Sequence, residues 1–123
     1  MYSPQLLDHF QNPRNPGTVS RPDAYARVEN PACGDILELS MKIKEGHISE
    51  VRFRAKGCVP AMACGSVLTE LIMGKTLEET RKVRREDITM ALGGVPEGSI
   101  HASHLAIDAL VAALQGREIE SGK

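Results

Sequence analysis

The sequence has no tryptophan, only two phenylalanines and only two tyrosines among its 123 residues. The core must therefore be built from Leu, Ile, Val, Met and Ala, and the basic run at residues 81–85 has no aromatic stacking residues nearby to support nucleic-acid binding. Charge of one sign is also lacking. The formal net charge is −1, so there is no general attraction to nucleic acid or to an anionic membrane. No apolar run approaches the ~18 residues of a membrane span, and the first residues lack a secretory pattern. Three cysteines make an odd number, which argues against a disulfide framework and for buried, reactive or metal-bound thiols in a reducing compartment. A cytoplasmic location is expected, with neither nucleic acid nor membrane as a partner.

What is present is a soluble, mixed composition, 41% hydrophobic and 25% charged, expected to form a single domain over residues 1–123. Ser3 and Pro4 predict a capped short helix over residues 3–10. A proline-rich connection follows, then a short edge strand over residues 24–29. Apolar residues at 37, 39, 41 and 43 alternate with polar ones, and Val51, Phe53 and Ala55 repeat the pattern. Together they predict a hairpin turning at residues 45–47. Both apolar sets are odd-numbered, so facing residues must have even sums, 90 or 92. Cys33 then falls opposite residue 57 or 59, beside Cys58.

Helices are expected from Pro60 to Gly74, over residues 77–83 and 86–92, and from about Ile100 to Gln115. In the last, Ser99 is the expected N-cap, and Ile100, His104, Ile107, Val111 and Leu114 share the apolar face. The fold class is α+β, a three-stranded antiparallel sheet with helices packed on one face.

Several residues could carry chemistry. Cys33 and Asp35 are separated by Gly34, which lets both side chains face one ion. Cys58 lies between a strand and a helix start, where a thiolate is favoured. His101, near the start of the last helix, can offer a neutral imidazole. Cys64 reads as core or as a further ligand. His104 reads as packing, with a joint metal site beside His101 as the sharper alternative. His9 and His47 read as surface residues. The basic run Arg81-Lys82-Val83-Arg84-Arg85 reads as a solvated helix face or a protein-docking patch. Thiolate, imidazole and carboxylate suit zinc, iron and iron–sulfur clusters. An enzyme would need an open metal position with a general base, or a paired Cys-x-x-Cys, and the sequence displays neither.

Three segments resemble the U-type iron–sulfur cluster assembly scaffolds, which are related to the N-terminal domain of the nitrogen-fixation scaffold. They are Asn30-Pro31-Ala32-Cys33-Gly34-Asp35, the run from Lys56-Gly57-Cys58 to Ala63, and the run from Ile100-His101 to Ala109. The resemblance covers nearly the whole chain. It implies a scaffold or carrier, not an enzyme, that holds a transient [2Fe–2S] cluster, or its iron or zinc, through Cys33, Asp35, Cys58 and His101. A cysteine desulfurase and apo iron–sulfur acceptor proteins are the implied partners, and a monomer or weak dimer is the expected state.

The chain also departs from that family. The third cysteine, which accepts sulfur from the desulfurase, falls on Ala102. Cys64 is the thiol expected to compensate as a cluster ligand. The segment that docks the specialised Hsp70 chaperone is replaced by Val95-Pro96-Glu97-Gly98-Ser99, so that partner is not expected. The alternative reading is a zinc-stabilised docking or adaptor protein that has lost cluster synthesis.

Overall fold

Alternating apolar and polar residues build the sheet, and they do so in the even register expected. A computed structural model describes residues 2–31 and 34–122, with backbone alone for residues 116–122. Strand β1 (Ala24–Glu29) pairs antiparallel with β2 (Ile36–Lys44), which pairs antiparallel with β3 (His47–Lys56). Partners in the hairpin sum to 92 from Ile36↔Lys56 to Lys42↔Glu50. One irregularity between Lys42 and Ile43 then shifts the register toward the turn. That turn is tight, with Glu45 and Gly46 both at positive φ. The juxtaposition expected of Cys33 and Cys58 lies outside the described residues.

One sheet face is apolar. Leu37, Leu39 and Met41 of β2 are buried there with Ala24, Ala26, Val51 and Phe53. Helix α2 (Val59–Ile72) covers β3, and α5 (Ile100–Gly122) covers β1 and β2, so the helices share a face as expected. Helix α1 (Pro4–Gln11) packs on α2. Its N-cap, Ser3, accepts a hydrogen bond from the Leu6 N–H at 3.0 Å. Residues 15–17 run along the free edge of β3, where Phe53 N–H donates to Asn15 and Gly17 N–H donates to Phe53. The chain then crosses the outer face of the sheet, and Val19 N–H donates to Ser40 Oγ.

Two short helices, α3 (Leu77–Arg81) and α4 (Arg85–Ala91), link α2 to α5. The first carries a capping box made by Thr76 and Glu79, and it stops two residues before the expected end. The basic run around them is interleaved with acids. Lys82 pairs with Glu78, Arg85 lies beside Glu86, and the Arg84 N–H donates to Asp87.

The last helix departs from expectation in three ways. Ser99 is not its N-cap, because a 3-10 turn over Glu97–Ser99 already winds the chain before Ile100. The helix extends to Gly122 instead of stopping near Gln115. Its buried face is Ala102, Leu105, Ala106, Ala109, Leu110, Ala113 and, as expected, Leu114, whereas Ile100 and Val111 are each 45% exposed. The expected stripe followed the bulky residues. The alanines instead let α5 approach the sheet closely, and close packing selects for fit over bulk.

Candidate metal centre

The end of the hairpin, the start of α2 and the start of α5 meet at one place. Asp35 immediately precedes β2, Cys58 follows β3 as the N-cap of α2, and His101 is the second residue of α5. Each donor atom of the three lies within 4.8 Å of the others. Among the described residues this is the one group of three or more histidine, cysteine or acidic side chains so placed.

Asp35 is the centre of the group and is almost wholly buried. Its Oδ1 accepts from the Cys58 N–H at 3.1 Å, and its Oδ2 lies 3.1 Å from the Cys58 thiol, which donates to it. The His101 Nε2 is 3.6 Å from the same Oδ2. The carboxylate thus sits over the first turn of α2, where unpaired N–H groups favour negative charge. A loop fixes it from behind. Gly34, at φ +77°, donates its N–H to Asn30, and the Asn30 N–H donates to the Asp35 carbonyl. Cys58 is half-buried, and the His101 side chain is 36% exposed, so the group is reachable from solvent.

Of the expected ligands, the structure brings together Asp35, Cys58 and His101. Cys33 lies outside the described residues, two positions from Asp35 in the chain. Cys64 is placed differently. It is fully buried in α2, and burial, with a smaller contribution from Cys58, pushes its thiol up to about 12. Such a thiol is a core side chain, not an open donor. Ala102 is buried, on the face of α5 turned toward the core.

Two histidines differ from expectation. His9 is not a surface residue. It is 6% exposed, with Nδ1 2.7 Å from Ser66 Oγ and Nε2 3.2 Å from Glu70 Oε1. Ser66 Oγ also accepts from the Arg14 N–H, so the neutral imidazole is fully partnered. His104 does not pack on the apolar stripe. It is exposed, and Arg85 Nη1 donates to its ring, 2.8 Å from Nε2. His47 is exposed in the turn, as expected.

The sequence reading passed over Gly57. A Cβ there would lie 2.1 Å from Asp35 Oδ1, so only glycine leaves room for the carboxylate. The signal was available. A register sum of 92 sets residue 57 opposite residue 35.

A small α+β domain with a buried carboxylate, a thiol and an imidazole at one end of its sheet defines a candidate metal-binding scaffold. The chain belongs to the NifU-like N-terminal domain family, whose profile matches residues 1–119. It is 42% identical over 123 residues to iron–sulfur cluster assembly scaffold protein IscU 1 of Archaeoglobus fulgidus, covering 100% of this chain and 80% of that one. It is 40% identical over 117 residues to the iron–sulfur cluster assembly scaffold protein IscU of Escherichia coli K12, covering 92% and 91%. A crystal structure of the N-terminal part of a nitrogen-fixing NifU-like protein from Brucella abortus shares the fold. Its TM-score is 0.74 at 21% identity, over 94% of this chain and 93% of that one.

Proposed function

We propose that this protein is an iron–sulfur cluster assembly scaffold or carrier, which binds a transient [2Fe–2S] cluster, or its iron or zinc, as cargo and passes it to apo acceptor proteins. The observation that carries this reading is the convergence of Asp35, Cys58 and His101 within 4.8 Å of one another. Thiolate and imidazole suit iron and zinc. A carboxylate is a harder donor than a thiolate, so a cluster held partly by Asp35 is more labile than one held by cysteines alone. That suits cargo meant to leave. Family membership and relatives named as assembly scaffolds support the same reading. The residues named would act as ligands and not as catalysts.

The test is anoxic cluster assembly with iron, cysteine and a cysteine desulfurase, followed by visible absorbance. The parent should develop cluster absorbance, while Cys33→Ser and Cys58→Ser should develop none. Equal absorbance in all three proteins would sink the proposal.

A second reading, a zinc-stabilised adaptor, is favoured by Ala102, which cannot accept sulfur or hold iron at a position where the resembling family carries its third cysteine. Colourless protein with stoichiometric zinc after anoxic purification, and no assembly until Ala102→Cys is introduced, would select it. On either reading no helix among the described residues is long and apolar enough to cross a membrane.

A further inference from the structure

The two edges of the sheet differ. Residues 15–17 close the edge of β3 through main-chain hydrogen bonds with Phe53. Strand β1 is the other edge, and among the described residues no segment pairs with its outer side. Asn30 N–H donates to Asp35, its partner by continuation of the β1–β2 register, so the even-numbered residues of β1 bond to β2. The main-chain N–H and C=O groups of Tyr25, Arg27 and Glu29 therefore turn outward. Natural edges are blunted by proline, lysine or a bulge, and β1 carries none of these against β2. Helix α5 packs on β2 and α2 as well as on β1, which sets it back from the edge and leaves Val28 only half-buried.

The edge is also complementary to itself. Antiparallel pairing with a second copy brings odd-numbered residues opposite odd-numbered ones, because only these have free main-chain groups. Centring the pair on Arg27 sets two arginines opposite each other, and centring it on Glu29 sets two glutamates so, and both arrangements are repulsive. Centring it on Val28 sets Arg27 of each copy opposite Glu29 of the other, with the two valines meeting on the core side. The Arg27 and Glu29 side chains are 50% and 49% exposed and reach each other within one chain only at 3.9 Å, so both can turn to new partners. We propose that β1 is a self-association edge, on which a second copy of this chain pairs antiparallel about Val28 and joins the two sheets into one. Main-chain hydrogen bonds at Arg27 and Glu29 and the repeated ion pair hold the contact, and Pro31, which has no N–H, ends it on either side. So small a contact makes a weak, concentration-dependent dimer. Because the strands run antiparallel, the metal groups lie toward opposite ends of the joined sheet.

The experiment is sedimentation velocity of the full, metal-free chain over a concentration series at low ionic strength, so its outcome is independent of the metal-site reading. The parent should pass from monomer to dimer as concentration rises, and added salt should reverse the change. Arg27→Glu and Glu29→Arg each make both ion pairs repulsive, and each should raise the midpoint about tenfold. Mixed in equal amounts, the two variants should dimerise with each other near the parent's midpoint, because each then supplies the charges the other lacks. The double variant Arg27→Glu/Glu29→Arg should recover the dimer by itself. Amide exchange at Arg27 and Glu29 should slow as the parent is concentrated. A parent that stays monomeric up to about 1 mM would overturn the inference and leave the edge to an extended segment of another protein. Single variants that dimerise like the parent, a mixture of folded variants that stays monomeric, or amide exchange indifferent to concentration would overturn it as well.

Discussion

Asp35 and Gly57 face each other across the open end of the hairpin, and the carboxylate of one fills the space that a side chain on the other would need. A Cβ at Gly57 would meet Asp35 Oδ1 at 2.1 Å and its Cγ at 2.7 Å, and the residue sits at φ +139°. Gly57→Ala should therefore displace Asp35 and strain the backbone together, at about 1–3 kcal/mol. A lower melting temperature and weaker Co(II) binding are the expected readings. Parent-like metal affinity in this variant would show that Asp35 needs no such seat.

A different glycine tests the packing under the site. A Cβ on Gly65 of α2 would lie 2.7 Å from Phe53 Cδ2 and 3.0 Å from Leu37 Cδ1. Those rings and methyls are locked between helix and sheet, so Gly65→Ala should cost about 1–3 kcal/mol by overpacking. The urea midpoint should fall while metal stoichiometry is kept. A midpoint equal to that of the parent would mean that α2 can ride outward freely.

Burial holds His9 below its ordinary value of 6.5, and Arg14 adds to the effect, while Glu70 and Asp8 act the other way. The unfolded chain therefore takes up this proton at higher pH than the folded one. Stability contributed by neutral His9 is present above 6.5 and is lost as pH falls from there toward the depressed folded value. Urea unfolding at about pH 7.5 and about pH 5.5 should show the parent losing more stability than His9→Gln. Identical losses would assign the acid sensitivity to other groups.

Cys64 and Cys58 should part company toward alkylating reagents. With its thiol pushed up to about 12 and fully buried, Cys64 stays protonated and shielded at neutral pH. Iodoacetamide should label half-buried Cys58 in the native protein and leave Cys64 untouched until denaturant is added, as peptide mass spectrometry would show. Zinc should protect Cys58. Labelling of both at equal rates would contradict the core placement of Cys64.

The hairpin was legible in the sequence because its signal is a simple parity. Leu37, Leu39, Met41, Val51 and Phe53 are all odd-numbered, and one buried face then admits few registers. Asp35, Cys58 and His101 could be nominated from residue type and from position at element ends. The face of α5 was misread because alanine carries little hydrophobic weight, although Ala102, Ala106, Ala109 and Ala113 are what permit close approach. His9 was misread for the opposite reason. A polar residue near a chain end looks exposed until its partners are known, and Ser66 and Glu70 are distant in sequence.

The three donors come from parts of the chain that are otherwise joined only through the fold, at the entry to β2, the exit from β3 and the first turn of α5. An ion bonded to all three is therefore a cross-link as well as a passenger. An unfolded chain does not keep these groups together, so metal that binds the native form alone raises the free energy of unfolding in step with its own affinity. For this molecule, gripping the cargo and resisting denaturation are one quantity read on two instruments. A loaded chain should unfold late, and an emptied one should lose that margin.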